Sequence, residues 1–568
     1  MELFLRTGLQ ITAAIDAGSP KVTSSDETSS RRRRDILKRA EWILGTLLSA
    51  TVLFLLMVRA THAGALWRDE CAVVQLARMP SISDILRNFQ HEAFPPLFPL
   101  TIRAYTTLFG TSDTVLRIFG FCIGSMLIGA FWTTSRLFRS GVPLIALALL
   151  SLNTTFLVWG TTVRGYGLGS VLIVLAFGFI GRLLLVSNRA ADIAATLVCL
   201  AATQILLSNA VLVVTIGASA GAVLLCRRRS KRALVVFAVT AAGILSFLPY
   251  VPSYLRARDW NIVVRGAPTL NSLWNHLELA LGNPAQGIPA LWYVIALGLT
   301  GLLIWRIHKI QDGERLPQRD LIWFCFLVCG SGLIGYYAFL RVLSYATSAW
   351  HYLALICLIA AALDLAAARL CAADWLRWVR LGFGLTALIA APFADWASII
   401  ERQTNIDIIA RTVAARAAPS DLIVVAPWQF GVAFQHYYRG PASWVTIPEI
   451  ADHQLHRYDL MKIKMISTSP IDDLAKAVRA TLVSGNRVWF VGGLNLPPPE
   501  EGPMMLPPAP GSRFKWDNRA YTASWWQQLS VSAVLHVKRV DSVTLPAPEP
   551  TRINYLEEAP LTVVQGWQ

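Results

Sequence analysis

Between residues 42 and 399 the chain alternates long apolar runs with short polar turns. The runs fall at 42–57, 115–138, 142–159, 166–185, 193–207, 211–226, 233–250, 288–305, 321–340, 352–370 and 381–399. Runs of this length and polarity predict membrane-spanning helices, several of them near the lower length limit. A further apolar stretch, 97–109, is short and carries Arg103, so it is expected to lie at the bilayer surface and not to cross it. With the amphipathic segments 72–79 and 82–89, and a break at Pro95-Pro96, it forms a structured first loop over 61–112. After Glu401 the pattern changes: 421–427 reads as a buried strand, 471–483 as an amphipathic helix and 487–493 as another strand. Strand, helix, strand predicts a small α/β domain over 401–540. Residues 1–40 are polar and Ser/Thr-rich and are expected to form a disordered tail, and the Pro-rich stretch 541–568 is expected to be poorly ordered.

Composition agrees: with 54% hydrophobic and 15% charged residues, the 568-residue chain is too apolar for a soluble multidomain protein. The net charge of +16 raises nucleic acid as a partner, and its distribution excludes it. From Glu401 onward there are 16 basic and 15 acidic residues, so the excess belongs to the first 400 residues. It sits in the tail, at Arg31, Arg32, Arg33 and Arg34, and in alternate turns: Arg136/Arg139, Arg182/Arg189, 227–232, 306–319 and 369–380. The positive-inside rule then puts the N-terminus in the cytoplasm and, with eleven spans, the C-terminal domain outside. No small-residue cleavage site follows the first run, so it reads as an anchor and not as a removed signal. All eight cysteines precede Asp374; Cys325 and Cys329 share a helical face but lack His or carboxylate neighbours, so no metal site is expected.

The candidate chemistry clusters in the external loops. Asp69 and Glu70, in W-R-D-E at 67–70, directly follow the first span, where the polar head of a lipid-linked molecule would sit. Adjacent residues on a helix diverge by about 100°, so one carboxylate can face a reacting atom while the other supports it. His91 and Glu92, in H-E-A-F-P-P-L at 91–97, add a second polar group. Arg164, in V-R-G-Y-G, is either a snorkelling helix-end residue or a bidentate phosphate ligand. His351 and Tyr352, in S-A-W-H-Y, are either an interfacial aromatic anchor or part of the same site.

The order of these motifs resembles the GT-C superfamily of polyprenyl-phosphate-sugar glycosyltransferases, in particular the bacterial branch similar to protein O-mannosyltransferases and the lipid A aminoarabinose transferase. The resemblance runs through Asp69-Glu70, H-x-x-x-P-P-L at 91–97, Leu108-Phe109-Gly110, Leu116-Arg117 and Arg164-Gly165-Tyr166, then the D-x-x-x-x-x-P of 421–427, Tyr437-Tyr438 and R-V-W-F at 487–490. It covers most of 41–495. Where that branch often has an Arg-Tyr pair, this chain has His351-Tyr352, a titratable group in place of a permanent cation. The resemblance implies a multi-pass enzyme of the bacterial inner membrane, with its site on the extracytoplasmic face. Its donor would be a sugar on a polyprenyl phosphate and its acceptor a membrane lipid, glycan or protein. Asp69 would be the general base of an inverting transfer and Glu70 its supporting acid, with Arg164, His91, His351 and Tyr352 on the donor phosphate. No cofactor is implied; a divalent metal is compatible but not required.

Two other functions fit the same pattern. A transporter or flippase of lipid-linked sugars would place charges near the bilayer midplane within a two-fold repeat, and no repeat is visible here. A non-catalytic envelope scaffold would use the C-terminal domain for docking, where Trp428, Trp489, Trp516, Trp525 and Trp526 could stack on sugars or pack a core.

Overall fold

The computed structural model describes residues 25–568 apart from 93, 267, 310–315, 346, 372–373, 512–515 and 547–551. Among the described residues, nine helices are long and apolar enough to cross a membrane, from Arg32–His62 to Asp374–Ala394. Helix Gly165–Arg182 lies at the centre of the bundle, packed on helices Asp113–Phe138, Arg189–Ile205, Asn209–Cys226 and Leu353–Leu370. The protein is a polytopic helical membrane protein carrying a small α/β domain.

Two of the eleven expected spans differ from long straight helices. Segment 193–207 is a helix, Arg189–Ile205, one residue short of the length of its shortest spanning neighbours. Segment 142–159 is broken into helices Leu144–Ser151 and Thr154–Trp159. The buried Asp364 carboxylate of a neighbouring helix accepts the N–H groups of Ile145 (2.9 Å) and Ala146 (3.5 Å) at the start of the first piece. At the break, the Asn153 side chain accepts the Phe156 N–H at 2.7 Å and donates to the Ala280 carbonyl at 2.8 Å. Side chains thus take up backbone N–H groups at the start of the first piece and at the break, as irregular backbone at membrane depth requires.

The stretch 97–109 forms a 13-residue helix, Leu97–Phe109, too short to span. Its Arg103 donates to the carbonyls of Ala77 (3.2 Å), Met79 (2.5 Å) and Pro80 (3.3 Å), closing the C-terminal end of helix Arg68–Ala77.

The ends of the chain depart from the expected disorder. The first helix runs Ser25–His62, so the later part of the expected tail is a helical extension of the first span; residues 1–24 lie outside the described residues. The C-terminal domain holds a five-stranded sheet of β1 (Leu422–Val425), β2 (Ser443–Thr446), β3 (Arg487–Val491), β4 (Val537–Ser542) and β5 (Leu561–Trp567), in the order β2-β1-β3-β5-β4. Strands β2, β1 and β3 are parallel, and β5 pairs antiparallel with both β3 and β4. The expected strand, helix and strand are β1, helix Asp472–Val483 and β3. The Pro-rich tail is corrected: it ends in β5, an inner strand whose Leu561, Val563 and Val564 are buried. Residues 547–551 of that tail lie outside the described residues.

Two of the sequence motifs prove architectural. Asp421 accepts from the Arg487 N–H (2.9 Å), the Arg487 Nε (3.1 Å) and the Trp489 indole (3.0 Å), joining the start of β1 to β3. The Tyr437 hydroxyl accepts the Leu66 N–H at 2.7 Å and donates to Asp113 at 3.0 Å, docking the C-terminal domain on the first loop. Trp428, Trp489 and Trp525 are buried in the domain and serve as core.

Candidate active site

The site is built on the start of helix Arg68–Ala77, which follows Trp67 in extended backbone. Glu70, the third helical residue, reaches back to accept the Trp67 N–H through Oε2 at 3.2 Å. Its Oε1 accepts from Arg117 Nη1 at 2.8 Å and from the Val163 N–H at 2.8 Å. One fully buried carboxylate therefore ties the first-loop helix to helix Asp113–Phe138 and to the turn before helix Gly165–Arg182. Arg117 closes the joint by donating to the carbonyls of Gly64 (3.1 Å) and Ala65 (2.6 Å). The approach depends on small residues. A Cβ at Gly120 would lie 1.8 Å from the Thr161 carbonyl oxygen, and one at Gly167 2.1 Å from that of Gly160.

With the turn fixed, Arg164 is delivered to Asp69. Its Nη1 donates to Glu92 Oε2 at 2.8 Å and to the Asp69 carbonyl at 2.9 Å, its Nη2 lies 3.6 Å from Asp69 Oδ2, and its guanidinium stacks over Phe94 at 4.2 Å. From the C-terminal domain His456 enters between the two acids, with Nδ1 3.1 Å from Glu92 Oε1 and Nε2 3.7 Å from Asp69 Oδ1. On the other side, Arg68 lies 3.8 Å from Asp69 and pairs at 2.7 Å with Glu557, just before β5. Four carboxylates thus converge: Asp69, Glu70, Glu92 and Glu557. The side chains of Glu70, Glu92 and Glu557 are at most 1% exposed, while that of Asp69 is 23% exposed. Asp69 alone keeps an open edge.

The electrostatics set these acids apart. Burial pushes the Asp69 carboxyl up, but Arg164, His456, Arg68 and His351 together outweigh it and hold it below the usual carboxylate range. It is an ionised acceptor at neutral pH. Glu557 behaves oppositely: burial dominates over its Arg68 partner and pushes it up to about 7. Arg164, itself buried, is raised because the fields of Asp69, Tyr166 and Glu92 exceed the desolvation cost. Several buried nitrogens around the cluster lack a protein hydrogen-bond partner: Arg164 Nε, His456 Nε2, Trp67 Nε1 and Trp428 Nε1. Unmet polar atoms of this kind are expensive unless a polar ligand or water meets them. The rings of Trp67, Trp159 and Trp350 pack on one another at the start of helix Arg68–Ala77, with centroids 4.3–5.8 Å apart.

The sequence-predicted residues divide accordingly. Asp69, Glu70 and Arg164 come together, and Glu92 joins them. His351 stands at the edge: its ring is 5.6 Å from Tyr166 and 5.8 Å from Tyr345, and its Nδ1 accepts the Ser348 N–H at 2.9 Å. His91 is displaced from the expected place, stacked on Trp260 at 5.4 Å and 4.0 Å from Asp459; burial lowers its pKa. Tyr352 does not join the cluster. Its ring is fully buried and its hydroxyl is engaged by the Leu273 carbonyl (3.2 Å) and Thr347 (3.3 Å). Three contributors escaped sequence reasoning: Arg68, His456 and Glu557. Arg68 stood inside the quoted W-R-D-E motif. The other two follow Asp69 by hundreds of residues and carry no local signature. Among the described residues no group of three His, Cys, Asp or Glu side chains is placed to hold a metal ion.

No family model and no curated protein sequence matches the chain. Among solved structures it matches ArnT from Cupriavidus metallidurans bound to undecaprenyl phosphate, at 14% identity and a TM-score of 0.36, covering 79% of this chain and 93% of that one. It also matches the Archaeoglobus fulgidus oligosaccharyltransferase, in the apo form at 12% identity (TM-score 0.43, 90% and 75% covered) and in complex with Zn and sulfate at 13% (TM-score 0.42, 78% and 68%). At these identities and TM-scores the matches carry no weight on residues or substrate.

Proposed function

We propose that this protein is an integral-membrane glycosyltransferase that moves a sugar from a polyprenyl-phosphate donor to an extracytoplasmic lipid, glycan or protein acceptor. The observation that carries the reading is the Asp69 carboxylate, ionised and partly exposed in a cluster whose other three acids are fully buried. Asp69 takes the proton of an acceptor hydroxyl. The acceptor oxygen attacks the anomeric carbon from the face opposite the phosphate, the bond from that carbon to the phosphate oxygen breaks, and the phosphate leaves with the electron pair. The sugar is inverted.

Arg164 faces Asp69 and Glu92 with its side chain only 8% exposed, against 26% for Arg68, so it is a positioning residue for the base. The leaving phosphate is met by Arg68 and His351, with the Tyr345 hydroxyl, kept protonated by burial, as a third donor. The chemistry requires no cofactor. Basic turns such as 227–232 lie at the far end of helix Gly165–Arg182 from Arg164, which supports an inside N-terminus and an extracytoplasmic site in a bacterial inner membrane.

The test is transfer by purified protein in lipid nanodiscs, using radiolabelled sugar on a polyprenyl phosphate beside the same sugar on a nucleotide. Transfer from the lipid donor alone supports the reading. Movement of the lipid across a bilayer without transfer would assign a transporter, and neither activity with any donor or acceptor fraction would leave a scaffold.

A further inference from the structure

At the opposite end of the bundle from Asp69 a cavity of about 460 Å³ opens between segment 183–187, which continues helix Gly165–Arg182, and the turn 228–232 that joins helices Asn209–Cys226 and Ser230–Leu245. Its two walls differ in chemistry. One is apolar, made by Leu183, Leu184, Leu185 and Val186; the other carries Arg228, Arg229, Lys231 and Arg232, and no carboxylate lines it. Arg232 is structural: it pairs with Asp192 at 2.7 Å and donates to the carbonyls of Leu183 (3.2 Å) and Val186 (2.9 Å), holding the walls together. Arg228, Arg229 and Lys231 are exposed and pair with no carboxylate among the described residues. Arg228 is held at φ 56°, a backbone region that side-chain-bearing residues enter at a cost.

Unneutralised cations beside a leucine wall at a membrane boundary fit one ligand: a phosphate whose other end is apolar. We propose that this cavity binds the phosphate of an anionic phospholipid headgroup, with Arg228, Arg229 and Lys231 on the phosphate and the 183–186 wall against the glycerol and upper acyl chain. Arginine forks suit phosphate oxygens, and a basic pocket between spanning helices suits anionic headgroups. The site is separate from the Asp69 cluster and does not depend on the proposed transfer reaction.

The test is native mass spectrometry of the full chain with phosphatidylglycerol, phosphatidylcholine and inorganic phosphate as probes. The triple variant Arg228→Gly, Arg229→Gln, Lys231→Gln is compared with a control that removes two cations from another basic turn, Arg136→Gln, Arg139→Gly. Both arginines replaced by glycine have positive φ, so neither change strains the backbone. Phosphatidylglycerol should bind in preference to phosphatidylcholine. The triple variant should bind it about a hundred-fold more weakly and the control should not. Equal retention by the two variants overturns the site, and inorganic phosphate binding as tightly as phosphatidylglycerol overturns the lipid assignment.

Discussion

Glu70 separates support from chemistry. Replacing it by Ala removes the acceptor for the Trp67 and Val163 N–H groups and the anion that faces Arg117. Two unpaired buried N–H groups cost about 1–3 kcal/mol each, and a buried arginine stripped of its anion about 3–5. Arg117 keeps the Gly64 and Ala65 carbonyls, and the space left by the side chain admits water, so these costs overlap. The expected loss is about 4 kcal/mol. Glu70→Gln should cost less: its carbonyl still accepts from Arg117 and Val163, while its amide N–H₂ confronts the Trp67 N–H that Oε2 now accepts. Denaturant unfolding in detergent, followed by the tryptophan fluorescence of the Trp67, Trp159 and Trp350 cluster, measures both. The order Ala, then Gln, then wild type is predicted, with transfer per folded molecule reduced only modestly in Gln. A loss below about 1 kcal/mol for Glu70→Ala, or a fully stable variant without transfer, would refute the supporting role.

Further outcomes follow from the same geometry. Glu557, raised to about 7 from an ordinary value near 4.5, disfavours the charged form in the fold. Stability should therefore rise as pH falls from about 7 toward 4.5 and be lost above 7, and Glu557→Gln should flatten that dependence in thermal unfolding profiles. Asp69, held low, should stay ionised through this window, so any fall in transfer between pH 7 and 5 should track Glu557 and vanish in the same variant. His456→Ala leaves Glu92 without its Nδ1 partner and removes the ring beside Asp69; transfer should fall about ten-fold, with partial rescue by Gln, in steady-state assays at saturating donor. A chain ending at residue 556 lacks β5, so β3 and β4 lose their common neighbour; limited proteolysis should then cut the C-terminal domain while sparing the spans.

Much of this architecture was legible along the chain because it is local. Long apolar runs report spans directly, and the short β-branched apolar runs of β1 and β3, bounded by Asp, Pro and Gly, report buried strands. Asp69, next to a span, had to lie at an interface, and Arg164 at the head of another span could reach it. What depends on distant pairing was not legible. His456 meets Glu92 across 364 residues, and nothing around it distinguishes a site histidine from a surface one. Glu557 was hidden in a Pro-rich stretch whose composition reports only its local stiffness, although Leu561, Val563 and Val564 carried a strand signal. The Asn153 break was invisible to hydropathy, because the Ala280 carbonyl that holds the Asn153 amide and the Asp364 carboxylate that caps the first piece come from elsewhere in the chain. Tyr352 misled for a related reason: an interfacial tyrosine beside a histidine looks alike whether its hydroxyl meets a ligand or a backbone carbonyl.

The central claim is that Asp69 is the base. The most direct measurement is transfer of radiolabelled sugar by purified Asp69→Asn beside wild type, with unfolding and lipid-donor binding measured on the same preparation. Removing a general base predicts a loss of about 10²–10⁴-fold in turnover with fold and donor binding retained. An Asn variant that transfers sugar at the wild-type rate would contradict the account.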